Sequence, residues 1–169
     1  LFRSKNGFKE QDIEAEPSND AKRTGTEVQF FPSSKTFSQV TFDFNILEHR
    51  LRELAFLNPE ISIELYDCRV DPERAANLHY EGGILNFIKF LDKSKKAIHD
   101  TIRITGEQND IVIDVAFQWN DSYRENTLVF TNNIRQKEGG AHLTGFRSAL
   151  TRAVNSYIEG SSINKKQRV

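Results

Sequence analysis

Ile111-Val112-Ile113-Asp114-Val115-Ala116-Phe117-Gln118-Trp119 decides the fold class. Ile111, Ile113, Val115, Phe117 and Trp119 fall on every second position, the longest such run in the chain. A period of two places them on one face of a strand and excludes a helix. Just upstream, Ile102 and Ile104 sit on another strand, with the turn around Gly106 to Asp110. Downstream, Asn120-Asp121-Ser122 makes a turn and Thr127 to Ile134 reads as a strand. Gly139-Gly140 then opens a long helix with Leu143, Phe146, Leu150, Val154 and Tyr157 on one stripe. Gly160 ends it, and residues 161–169 are polar and basic. Ile113, Val115 or Phe117 are expected to be buried against Phe146 and Leu150.

Moving toward the N-terminus, Ile84, Phe87, Ile88 and Leu91 mark one face of a helix that follows His79-Tyr80-Glu81-Gly82-Gly83. The charged stretch 69–78 reads as an exposed loop or a short turn of helix. Ile61, Ile63 and Leu65 alternate with Ser62 and Glu64, the pattern of a half-buried strand. Leu47, Leu51, Leu54 and Ala55 recur at helical spacing, and Asp43 or Asn45 can cap that helix, Asn45 with Glu48 resembling a capping box. Asn58-Pro59 ends it, because the residue before proline avoids the helical region.

The texture changes near Thr41. Residues 1–16 read as a hairpin around Lys5-Asn6-Gly7, 17–25 as a loop, and Thr26 to Phe31 as a strand stopped by Pro32. Such strands without a helix resemble the trailing edge of a sheet. Counted from the strand Thr26 to Phe31, the order β-α-β-α-β-β-β-α sets helices against a mixed sheet, an α+β or split α/β sandwich of two layers.

Composition limits the function. The 169 residues suffice for one domain, or one domain and a piece of another. Hydrophobic residues are only 37%, but 13 Phe can fill a core efficiently. Lys and Arg number 23 against 24 Asp and Glu, which excludes a globally basic nucleic-acid binder, so any DNA contact must be a local patch. No apolar run approaches the roughly 18 residues of a membrane span, and nothing at the N-terminus reads as a signal peptide. A single cysteine, Cys68, excludes an internal disulfide framework and a Cys-rich zinc site, and a reducing, cytoplasmic compartment fits. With Leu1 first and no Met, the chain is expected to be a piece of something larger.

His49, His79, His99 and His142 are scattered, with no helical metal-ligand spacing, and Cys68 has no histidine near it in sequence. No phosphate-loop, dinucleotide or nucleophile-elbow motif is present, so neither a catalytic nor a metal site is expected within these residues. Glu138-Gly139-Gly140-Ala141-His142 has two readings. Gly139 and Gly140 could expose backbone N–H groups at the positive end of a helix and form an anion nest. They could equally serve a tight strand-to-helix turn. Arg147 and Arg152 on the following helix are candidates for DNA phosphates.

Several stretches together resemble the bacterial DNA gyrase B family: Gly25-Thr26-Glu27-Val28-Gln29-Phe30-Phe31-Pro32-Ser33, Leu51-Arg52-Glu53-Leu54-Ala55-Phe56-Leu57-Asn58, His79-Tyr80-Glu81-Gly82-Gly83, Gln118-Trp119-Asn120-Asp121 and Thr131-Asn132-Asn133-Ile134. The most specific is Glu138-Gly139-Gly140-Ala141-His142-Leu143-Thr144-Gly145-Phe146-Arg147, where Ala141 replaces the family's usual Thr. The corresponding polypeptide of topoisomerase IV shares the Gly-Gly-x-His element but typically departs from the Leu-Arg-Glu-Leu-Ala-Phe-Leu-Asn and Trp-Asn-Asp patterns. The resemblance implies that residues 1–41 are the last strands of a GHKL-type ATPase domain. It implies that residues 42–169 are a transducer similar to ribosomal protein S5 domain 2. It further implies an ATP-dependent type IIA topoisomerase that negatively supercoils DNA, using ATP and Mg2+, with gyrase A, a second copy of gyrase B and double-stranded DNA as partners and no membrane. The family's catalytic glutamate, magnesium-binding asparagine, glycine-rich lid and Gln-Thr-Lys loop have no counterpart in these residues, so no ATP-binding residue is assigned and this stretch alone is expected to be inactive. Arg147, and less directly Arg152, would face the cavity for the transported DNA segment. The rival readings are the second domain of a MutL-like GHKL ATPase and an S5-like RNA-binding module, the latter disfavoured by the net charge of −1.

Overall fold

The computed structural model describes residues 3–5, 7–15, 24–28 and 32–161, and the chain divides into two units, Leu1–Thr41 and Phe42–Val169. In the first, β1 (Arg3–Lys5) pairs antiparallel with β2 (Phe8–Gln11), Lys5 opposite Phe8. Asn6 of the expected turn, most of the expected loop, and residues 29–31 of the expected third strand lie outside the described residues. Residues 24–28 form no strand, which corrects the expectation over its described part. The alternation there rested on Val28 and Phe30, and Val28 is exposed, so no apolar face rewards pairing at that position.

The second unit begins with α1 (Phe44–Leu57). Asp43, not Asn45, is its cap: the Asp43 carboxylate accepts from the Asn45 and Ile46 N–H groups at 2.8 and 3.1 Å. Glu48 forms no capping box and instead pairs with Arg52 one turn on. Asn58 closes the helix, its N–H and its side-chain amide both donating to the Leu54 carbonyl. β3 (Ile63–Asp67) follows, half-buried at Ile63, Leu65 and Asp67 as the alternation requires. Its partner is β4 (Arg74–Leu78), in a stretch expected to be a loop or a turn of helix. Arg74, Ala75, Ala76 and Asn77 carry little strand propensity; pairing with β3 and burial of Leu78 override it.

Next come α2 (Gly83–Leu91), β5 (Ile102–Gln108) and β6 (Ile111–Phe117). β5 and β6 pair over their full length, closed by Asn109 and Asp110 at φ +52° and +61°. Two consecutive left-handed residues match the twist of a hairpin. The expected strand 127–134 is instead a small hairpin, β7 (Phe130–Thr131) and β8 (Ile134–Arg135), turned by Asn132 and Asn133 at φ +48° and +67°. Asparagine tolerates that region, and the Asn-Asn pair is the turn signal the strand reading passed over. The last element is α3 (Ala141–Gly160).

The class is α+β, but the expected mixed sheet is not what the described residues form. They form four separate two-stranded antiparallel ribbons, each joining neighbours in sequence. Alternation shows which residues are extended, not which edges meet.

The core lies where α1, α2 and the β3–β4 hairpin pack together, with β6 against α2. Phe56, 1% exposed, is its centre: its ring stacks on Tyr80 at 3.9 Å and on Phe87 at 4.7 Å. Ala55 and Leu78 are buried as well, as is Phe44 at the other end of α1. α3 has no buried residue. Its Phe146 ring meets Phe117 edge-on at 5.6 Å, so that part of the expected contact forms. Ile113 is 48% exposed, so that residue does not join the contact, while Val115 and Leu150 are half-buried; Val154 and Tyr157 of the same helix stripe lie open.

The β3–β4 hairpin carries a strong ion pair. Arg69 grips Asp67 with Nε and Nη2, both at 2.7 Å, and this holds the Asp67 carboxyl down to about 2. Because the folded-state value lies below the unfolded one, the pair's contribution is present above the ordinary aspartate range and lost as pH falls through about 2. NMR titration should give a midpoint near 2, moving up to the ordinary aspartate range in Arg69→Ala. An unshifted midpoint in the parent protein would show that the pair does not persist in solution.

Candidate functional site

The site is built on the turn into α3. The Gln136 N–H donates to the Val129 carbonyl at 2.7 Å, and the Gly139 N–H to the Gln136 carbonyl at 3.2 Å, closing a tight return from the β7–β8 hairpin. Gly139 then adopts φ +90° and Gly140 φ +106°. The turn itself therefore requires glycine at both positions. Gly140 is the N-cap, with no side-chain capping bond, and its carbonyl accepts from the Thr144 N–H.

Arg147 lies nearly two turns into α3 and is exposed, as is Glu125, with which it pairs at 2.5 Å (56% and 63% side-chain exposure). The Thr127 hydroxyl and then Arg147 pull the Glu125 carboxyl below the usual range. Solvent screens an exposed pair of this kind and leaves it weak, so a phosphate can compete for the guanidinium at little expense. Arg152 is exposed too. Five positions separate the two arginines, about 140° around the helix, so α3 does not bring them onto one face.

Two groups near this site escaped the sequence reading. One is Glu125, 22 residues from Arg147 in an irregular stretch, where no period links them. The other is Glu53, buried at 6% exposure on α1. Arg50 donates to it at 2.8 Å, and Arg135 of β8 and His49 Nε2 each lie 3.5 Å away. Asn133 donates to the Asn58 side chain at 3.2 Å. This network ties the hairpin that precedes Gly139 to α1. The spacings from His49 and Arg50 to Glu53 were visible in sequence as one helical turn; the Arg135 contact was not.

The remaining candidates for chemistry are placed apart. Cys68 is exposed and donates to Glu73, and the carboxylate raises its thiol pKa, which disfavours the reactive thiolate. His99 is held between the Asp100 carbonyl and the Trp119 N–H, and His79 between the Ile61 carbonyl and Glu81. Among the described residues no group of His, Cys, Asp and Glu could hold a metal ion, and no helix is long and apolar enough to cross a membrane.

The family model described as DNA gyrase B matches residues 83–169. The DNA gyrase B protein of Rickettsia bellii is 46% identical over 170 residues, covering 99% of this chain and 21% of that protein. The DNA topoisomerase 4 B protein of Staphylococcus epidermidis is 47% identical over 137 residues, covering 80% of this chain and 21% of that protein. Among solved structures, the 43K ATPase domain of Thermus thermophilus gyrase B in complex with an aminocoumarin superposes with a TM-score of 0.68 at 28% identity, covering 81% of this chain and 37% of that one. The chain thus spans about a fifth of the length of the curated relatives it matches.

Proposed function

Because the chain belongs to the DNA gyrase B family, we propose that it is the part of gyrase B that relays nucleotide state and lines the passage for a transported DNA segment. In this reading residues 1–41 are the closing strands of the GHKL ATPase domain, and residues 42–169 are the transducer, similar to ribosomal protein S5 domain 2. The parent enzyme is an ATP-dependent type IIA topoisomerase that negatively supercoils DNA in the cytoplasm, working with gyrase A and a second copy of gyrase B. ATP and Mg2+ are bound by the whole enzyme and not by these residues, which carry no phosphate-cradling loop; the piece alone neither binds nor hydrolyses ATP.

One observation carries the reading: the family match spans α3 and the Gly139-Gly140 turn, from which Arg147 projects into solvent. The passage must attract a duplex without holding it. An arginine with a weak, exposed partner fits that need, because phosphate contact is unspecific and falls with salt. Arg152 on another side of α3 adds to the same pull, and the N–H groups after Gly139 and Gly140 offer a second place for a phosphate oxygen.

The test is Arg147→Gln in the full-length protein reconstituted with gyrase A. Supercoiling and the DNA stimulation of ATP hydrolysis should fall, while hydrolysis without DNA persists. If all three stay as in the parent, or if basal hydrolysis collapses with the rest, Arg147 is not a DNA contact.

A further inference from the structure

Four consecutive residues at the entrance of the second unit are each held in place. The Phe42 carbonyl accepts from Arg69 Nη1 at 2.9 Å, across 27 residues of sequence. The Asp43 carboxylate caps α1 through the Asn45 and Ile46 N–H groups. The Phe44 ring lies under the Arg74 guanidinium, 3.9 Å from carbon to centroid. The Asn45 side-chain oxygen accepts from Arg74 Nη2 at 2.7 Å, and Glu48 lies 3.6 Å from that same guanidinium. Immediately before, residues 38–41 are exposed and carry no regular structure.

The two arginines stand at opposite ends of the β3–β4 connection. Arg69 is already matched by the bidentate Asp67, so its charge needs no further partner. The third arm, on Phe42, grips main chain, at the first residue of the unit. A planar five-donor fork can hold a carboxylate and a carbonyl at once; an ammonium on a flexible stem cannot hold the same geometry. Because α1 packs on β3 and β4, the hairpin and helix form one body, and the entrance is fastened to it.

We infer that Arg69 and Arg74 are positioning residues that clamp residues 42–48 to the β3–β4 hairpin, so that a displacement delivered at Thr41–Phe42 moves α1 and the hairpin together instead of being lost in a loose joint. This deepens the relay role proposed above and rests on it. Transmission between sites needs a stiff element that both bias. The clamp supplies that stiffness where the chain passes from one unit to the next.

The experiment has two readouts. The first is amide exchange in the full-length protein. Arg69→Ala should speed exchange at Asn45 and Ile46, the amides bound by Asp43, while β5–β6 amides keep their rates. Unchanged protection there overturns the clamp whatever the enzyme does. The second is supercoils introduced per ATP hydrolysed, with gyrase A present. Arg69→Ala should lower that ratio at least about fivefold, the scale of an ordinary coupling free energy, with ATP hydrolysis persisting. Arg69→Lys, which keeps the charge beside Asp67 but lacks the fork, should lower it in the same direction and guards against misfolding of the alanine variant. Arg103→Ala removes an equally bidentate pair, with Asp114 on the β5–β6 hairpin, and should leave the ratio unchanged. A ratio equal to the parent's in both Arg69 variants, or an equal fall in Arg103→Ala, overturns the proposal. A parent protein that exchanges as expected but does not supercoil would sink the functional reading and leave the clamp standing.

Discussion

Replacing Phe56 with alanine is expected to cost about 3–5 kcal/mol, the largest stability effect of any single truncation among the described residues. Phe56 is almost fully buried and touches three elements at once: its own helix α1, Tyr80 just before α2, and Phe87 within α2, with Phe90 at 5.6 Å. Removing the ring takes away its transfer free energy and leaves a cavity that neighbouring rings cannot close without leaving their stacks. Arg52 would lose support as well, since it donates to the Tyr80 hydroxyl at 3.2 Å and lies over the Phe90 ring at 5.2 Å. Phe146→Ala is the comparison. Phe146 is only half-buried, and among the described residues its ring contact is with Phe117, so its truncation should cost about 1–2 kcal/mol. Urea unfolding of the two variants measures both. Equal costs would mean that α3 is as deeply seated as α1, contrary to the structure.

That difference was not legible in the sequence. Phe146 falls on the expected stripe of α3, whereas Phe56 lies outside the Leu47, Leu51, Leu54 and Ala55 stripe, about 180° around α1 from Leu47; a stripe reports which side of a helix is apolar, not what covers it. The helices themselves were readable because their signals are local: Asp43 before Phe44, Asn58-Pro59 after Leu57, two glycines before Ala141. The β5–β6 hairpin was readable from period alone. β4 was hidden because Arg74, Ala75 and Ala76 become a strand only through their pairing with β3, a non-local fact. The site divides in the same way. Arg147 could be picked out, whereas Glu125 and the Glu53 network depend on contacts spanning 22 and 82 residues, which no spacing rule encodes.

Gly140→Ala and Gly145→Ala, five residues apart, should move stability in opposite directions. Gly140 has φ +106° and ψ 172°, a region open essentially to glycine alone, so an L side chain there is expected to cost roughly 1–3 kcal/mol. An added Cβ would also approach the His142 ring at 2.9 Å, but that ring is at the end of a movable side chain and can swing away. The backbone is the larger obstacle. Gly145 is different: it is exposed within α3, and nothing lies within 4 Å of where its Cβ would stand. Alanine at that position restricts the unfolded chain and favours the helix, so Gly145→Ala should stabilise by about 1 kcal/mol. Thermal unfolding of the two variants reads the signs directly. The consequence for the site follows from geometry. Gly140 sets the direction in which α3 leaves the β7–β8 hairpin, and that direction fixes where Arg147 projects. Gly140→Ala should therefore weaken the DNA stimulation of ATP hydrolysis in the full-length enzyme, even at temperatures where the protein is folded. Gly145→Ala, two residues from Arg147 but with no strain to relieve, should leave that stimulation as it is. If Gly140→Ala is neutral in both stability and stimulation, the left-handed turn does not orient α3, and Arg147 owes its position to its pairing with Glu125 alone.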